Sequence, residues 1–235
     1  MLVTKHFVLL HFPRTGGVFM RRACRDHLPP DWLLYERPKH GGLARVPAEY
    51  AELPMLCFIR NPWDWYVSFF EFTREFWLAK GDDAPTSKGH YWSVFFDQGR
   101  NDFRPTVRAM CTPPAAVGRR WAIAMREWDV DYLTATFSLT TGRLPGETPP
   151  DSPLRPPFSN GKLATGRYEN LRDDVLGFLD RNEIPAPRDF VEHIRTGAPR
   201  HQSRRRPYHE YYDDELRDLV GARAHSIVDE FGYEF

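Results

Sequence analysis

The chain has 235 residues, of which 41% are hydrophobic and 27% charged, and its 32 basic residues balance 32 acidic ones. That length suits one domain able to bury most of its apolar surface. A formal charge of zero gives no bulk electrostatic reason for a nucleic-acid or membrane partner, so any anion site must come from local clustering.

No apolar stretch approaches the length of a membrane span, and the first apolar run is interrupted by His11 and Pro13. Nor do charged, apolar and small residues follow in signal-peptide order. A soluble, cytoplasmic protein is therefore expected. Cys24, Cys57 and Cys111 form an odd, widely spaced set without a CxxC pair. They read as small buried side chains in a reducing compartment, not as a disulfide frame or a zinc site.

In chain order, Lys5 to Met20 reads KHFVLLHFPRTGGVFM. The run Phe7-Val8-Leu9-Leu10 predicts a short buried strand, Pro-Arg-Thr-Gly-Gly a turn, and Val18 onward a helix start. A strand, a glycine turn and a helix start together point backbone N–H groups at an anion. Gly16 and Gly17 admit a close ligand, and Arg14 adds a fixed positive charge suited to phosphate or sulfate. The loop lacks the Gly-Lys-Ser/Thr ending of a nucleotide triphosphatase, and with it the hydroxyl that holds Mg²⁺. It reads as a phosphate cradle without a metal.

The first helix is expected over 18–28, with Phe19, Met20, Ala23, Cys24 and His27 on one face and Pro29-Pro30 ending it. Trp32 to Tyr35 predicts a second strand, followed by Glu36-Arg37-Pro38-Lys39-His40-Gly41-Gly42, and Pro47 to Glu52 a helical patch. Met55 to Ile59 is the clearest buried strand. It ends at Arg60, after which Asn61 is a good N-cap and Pro62 a natural first helical residue. That helix should reach about Trp77, burying Trp65, Phe69, Phe72 and Phe76, with Ser68 on an adjacent face. Arg60 stands at the carboxyl end of a strand, where open α/β sheets bind ligands.

Gly81 to Gly89 reads as a polar loop, and residues 90–142 as helices with scattered aromatics packed around the sheet. Arg143 to Lys162 holds six prolines and predicts a long surface loop. Gly166 to Leu171 ends a short strand and opens a helix to Asn182, and a final helix is expected over Tyr211 to Asp229. Before it, Arg204-Arg205-Arg206 offers a local basic run.

Three segments in one order, HFPRTGG, FIRNPWDWYVSFF and RYENLRDD, resemble the sulfotransferases that use 3′-phosphoadenosine 5′-phosphosulfate (PAPS). The C-terminal stretch from Tyr211 is similar to the closing helix of their bacterial and carbohydrate-type branch. The second motif is the more specific: an Arg-Asn-Pro strand end with a serine eight residues after the arginine. The resemblance implies one α/β domain over 1–235: a three-layer sandwich, with a mostly parallel central sheet flanked by helices, of P-loop-like sulfotransferase fold.

It also implies roles. Thr15, Gly16, Gly17 and Val18 would hold the 5′-phosphosulfate through their backbone, with Arg14 at the bridging oxygen. Arg60 and Ser68 would hold the 3′-phosphate, Phe19 and Tyr168 would contact adenine, and Ser203, Arg204 and Arg205 would close over the 3′-phosphate. Relatives usually have Lys where this chain has Arg14, and a hydroxyl residue where it has Val18, so the cradle loses a side-chain hydrogen bond.

Sulfuryl transfer, like phosphoryl transfer, depends mostly on positioning and on neutralising leaving-group charge. Arg14 and Lys39 are the candidates for that charge, and no metal is expected. His40 is the candidate base for the acceptor proton, since histidine titrates near working pH. Otherwise it caps the Gly41-Gly42 turn, and Glu36 is the alternative base. The other histidines, His11 among them, have no comparable placement. The acceptor suits a sugar, a phenol or a lipid headgroup equally; no nucleic acid and no membrane span are expected. A small nucleotide kinase, or a protein that binds the nucleotide without turnover, are the alternatives.

Overall fold

The computed structural model describes residues 1–36, 40–78, 95, 102–112, 120–143, 161–198 and 205–235, of which 76–78 are described by backbone alone. The strands are β1 (Leu2–Thr4), β2 (Val8–Leu9), β3 (Leu33–Tyr35), β4 (Met55–Ile59) and β5 (Leu163–Arg167). The helices are α1 (Gly17–His27), α2 (Pro62–Leu78), α3 (Phe103–Cys111), α4 (Arg120–Glu127), α5 (Tyr132–Thr141), α6 (Leu171–Arg181), α7 (Arg188–Thr196), α8 (Asp214–Arg223) and α9 (His225–Phe231). The chain is α/β, and its contacts cluster in two compact units: Met1–Arg60 with Phe137–Gln202, and Asn61–Thr136 with Ser203–Phe235.

The first unit holds a five-stranded sheet in the order β3-β1-β2-β4-β5. β2, β4 and β5 run parallel, whereas β1 pairs antiparallel with both β2 and β3. The sheet is therefore mixed, where a mostly parallel one was expected. The cause is the short turn after Thr4, too short for the crossover that a parallel pair needs. Thr4 closes that turn: its Oγ1 donates to the Phe7 carbonyl at 2.8 Å and accepts from the Phe7 N–H at 2.9 Å.

α1 starts and ends one residue earlier than expected and buries Phe19, Met20, Ala23 and Cys24, with His27 half-buried. These side chains meet Leu9, Leu56 and Phe58 of the sheet and Val175, Phe178, Phe190 and Ile194 of α6 and α7 in one apolar cluster. α7 carries no sequence expectation; its two buried residues, Phe190 and Ile194, are one helical turn apart on a mostly polar helix. β3 starts one residue later than predicted, because Pro30–Trp32 forms a 3-10 turn, and the patch after Pro47 is likewise a 3-10 turn, Ala48–Tyr50. Cys24, Cys57 and Cys111 are all buried free thiols.

The second unit is helical. α2 buries Trp63, Trp65, Tyr66, Val67, Phe69 and Phe70, so apolar contact runs almost around the helix and not along the single stripe expected. Tyr66 donates its hydroxyl to Asp131 at 2.8 Å, and Asp131 also accepts from the Thr134 N–H at 2.8 Å. Burial pushes the Asp131 carboxyl above its ordinary value, against the pull of those hydrogen bonds. The expected last helix is two, α8 and α9, which share Ala224 as a cap. Phe103 of α3 stands edge-on to Tyr211 and Tyr212, with ring centroids 5.1 Å away in each case.

The 81–89 loop, the proline-rich stretch 144–160, and Lys39, Ser203 and Arg204 lie outside the described residues. Among the described residues no helix is long and apolar enough to cross a membrane.

Candidate functional site

Because β2, β4 and β5 are parallel, their carboxyl ends open on the same edge of the sheet, the edge where α/β proteins bind ligands. From β2 the chain passes through Pro13-Arg14-Thr15-Gly16 into α1. Arg14 and Gly16 adopt left-handed φ of 62° and 80°, while Thr15 between them does not. Alternation of hand turns successive N–H groups toward one concavity, a nest for an anion. The Thr15 hydroxyl is used inside the loop, donating to the Phe12 carbonyl at 2.8 Å.

Both glycines are required by what surrounds them. A Cβ on Gly16 falls 2.3 Å from Leu171 Cδ1 and 3.4 Å from Tyr168 Cδ2, in addition to the strain of its positive φ. A Cβ on Gly17 falls 2.0 Å from Cδ2 of His11. The loop is thus pressed on one side by the start of α6 and on the other by a histidine ring.

The start of α1 is electrostatically open. Met20 donates the first intrahelical bond, to Gly16, so the N–H groups before it have no acceptor within the helix. Gly16 supplies no side-chain cap, and the first turn carries no acidic residue. Val18 is half-buried there.

From β4 comes Arg60, only 5% exposed. Its Nη1 donates to the Arg14 carbonyl at 3.2 Å. From β5 comes Tyr168, whose ring lies 4.2 Å from the Arg60 guanidinium carbon, a cation–π distance. Three strand ends therefore bring Arg14, Gly16, Arg60 and Tyr168 to one place. This arrangement can take a phosphate or sulfate through backbone N–H groups and guanidinium charge.

Phe19 is 7% exposed and lies in the apolar cluster, its ring stacked 5.5 Å from His193, with the Arg172 guanidinium 5.5 Å from its centroid. Ser68 and Arg205 belong to the second unit. Ser68 is buried on α2, and Arg205 is held by Asp64, with 2.5 Å between Nη1 and Oδ1.

His40 is exposed, and its ring centroid is 4.7 Å from that of His11. Sequence reasoning passed over His11; the available signal was its position one residue beyond the β2 run. Glu36, the alternative base, is bound instead by two arginines of α1. Arg25 reaches Oε2 through Nε at 2.9 Å and Nη2 at 2.6 Å, and Arg21 reaches Oε1 through Nε at 2.7 Å and also through Nη2. Partial burial disfavours the Glu36 carboxylate, but these bonds from Arg25 and Arg21 outweigh it and hold its pKa below the ordinary value. A carboxylate so engaged is a poor proton acceptor. Among the described residues no group of three or more His, Cys, Asp and Glu side chains is placed to hold a metal.

No family model, no curated protein and no solved structure matches the chain.

Proposed function

We propose that the chain is a sulfotransferase of P-loop-like, three-layer fold, moving a sulfuryl group from PAPS to a hydroxyl or amine of a small-molecule, glycan or lipid acceptor. The observation that carries this reading is the open start of α1, with no cap and no acid in its first turn, beside an Arg60 tied to the same loop. The residues present suit an anionic donor: a nest at Arg14 to Gly16, two arginines and an aromatic ring.

In this reading the N–H groups from Thr15 to Val18 and the Arg14 side chain hold the 5′-phosphosulfate, and Arg60 holds the 3′-phosphate. PAPS supplies a sulfuryl group on a phosphate leaving group. The bond from sulfur to the bridging oxygen breaks, its electron pair stays on the phosphate, and a bond forms from sulfur to the acceptor oxygen. The acceptor proton passes to an imidazole nitrogen of His40. The guanidinium of Arg14, and Lys39 with it, balances the charge left on the phosphate.

Transfer of radiolabel from PAPS to a panel of sugars, phenols and lipid headgroups tests the activity. Arg60→Ala is expected to weaken binding of the 3′,5′-bisphosphate product far more than binding of adenosine 5′-phosphate. An equal loss for both removes the assignment to the 3′-phosphate, and binding that favours ATP with Mg²⁺ replaces the whole reading with a nucleotide kinase.

A further inference from the structure

His11 is 3% exposed. Its ring lies flat enough against Gly17 that a Cβ there would stand 2.0, 2.4 and 2.6 Å from Cδ2, Nε2 and Cγ. The His40 ring is also in contact with it, with centroids 4.7 Å apart and planes inclined at 54°. One imidazole is thus shared between the backbone of the anion loop and the exposed histidine that the mechanism uses.

Phenylalanine would occupy this place without the cost of burying polar nitrogens, which is appreciable unless they are partnered. Packing alone therefore does not account for histidine. What the structure adds is the contact with a second imidazole, that of His40, whose ring the His11 ring helps to hold in place.

We propose that His11 is a positioning residue: packed against both Gly17 and His40, it sets the orientation of the His40 ring relative to the anion loop. The inference rests on the sulfotransferase reading only in taking His40 as the base. It gives the loop a second task, since the same glycine that opens the backbone to an anion also seats the ring that orients the base. A base must be held in reach of the proton that it removes, and a small misplacement is costly.

The test is a double-mutant cycle with His11→Phe and His40→Ala, read as transfer from PAPS, affinity for the bisphosphate product, and the ¹⁵N shifts of the imidazole of His40. His11→Phe is expected to lower kcat about tenfold in the wild-type background and not at all in the His40→Ala background, the non-additivity of residues acting as a unit. Product affinity stays within about twofold, and the ¹⁵N shifts of His40 move as its ring loses its fixed place. His11→Gln, which keeps a polar nitrogen near the Nε2 position, restores most of kcat and serves as the second variant should the phenylalanine fail to fold. Additive losses, or a fall in product affinity with unchanged His40 shifts, overturn the proposal and leave His11 as packing under the loop. If the wild type neither transfers sulfate nor binds the bisphosphate, the sulfotransferase reading fails. The positioning of His40 by His11 then stands or falls on the ¹⁵N shifts alone.

Discussion

α1 and α2 are each the next helix after a strand of the same sheet, α1 across the loop from β2 and α2 two residues beyond β4, yet their first turns are built in opposite ways. At α2, Asn61 accepts from the N–H groups of Trp63 at 3.0 Å and Asp64 at 3.4 Å, and Asp64 puts a carboxylate in the first turn. The helix satisfies its own positive end. At α1, a left-handed glycine stands in the cap position, no side chain bonds back, and no acid follows. A helix start that the chain completes for itself has no need of a ligand. One left open beside a buried arginine invites an anion, which is why α1 carries the candidate site.

Four substitutions break or sharpen this contrast. The largest effect is expected from Gly16→Ala, which adds left-handed strain to a 2.3 Å collision with Leu171. Strain of about 1–2 kcal/mol and overpacking of about 1–3 kcal/mol should lower denaturant stability by about 2–5 kcal/mol and abolish anion binding at α1. Undiminished affinity would mean that the nest is irrelevant. Next, Val18→Asp gives α1 the first-turn carboxylate that α2 already has. Calorimetry should show affinity for the bisphosphate falling about ten- to a hundredfold by repulsion, while stability is unchanged or slightly raised by the helix dipole. Asn61→Ala makes the opposite change, removing the cap of α2. It should cost about 1 kcal/mol of stability and leave anion affinity within about twofold; a large loss of affinity would show that the two helix starts are not independent.

The smallest effect belongs to Glu36→Gln, which loosens the grip of β3 on α1 through Arg21 and Arg25. The folded pKa of Glu36 is depressed below 4.5, so its contribution is fully present above that pH and is lost as pH falls through the folded value. For a partly exposed pair this is about 0.5–1 kcal/mol at neutral pH. Denaturation curves of the variant and the wild type should differ at pH 7 and converge as the pH falls well below 4.5.

The parallel half of the sheet and the starts of α1 and α2 were legible, to within a residue, because local signals agree there. Met55 to Ile59 is uniformly apolar, and Asn61-Pro62 is a cap followed by a first-turn proline. The antiparallel β1 was missed because three residues, Leu2 to Thr4, carry too little pattern. The break at Ala224 was missed because α8 and α9 join without proline or glycine at the junction. Arg14 and Arg60 were readable from their places at strand ends, but the Arg60–Tyr168 contact joins residues far apart in the chain and needs the strand order to become visible. The weight of His11 was hidden for the same reason: its neighbours Gly17 and His40 approach it from different elements.

The buried thiols have a practical consequence. Burial raises Cys24 and Cys57 to about 12 and Cys111 well above its ordinary value, so none is reactive while folded. Cys24 and Cys57 report on the first unit and Cys111 on the second. A timed alkylation followed by mass mapping would therefore clock the opening of each unit separately, in the unaltered protein and without any introduced probe.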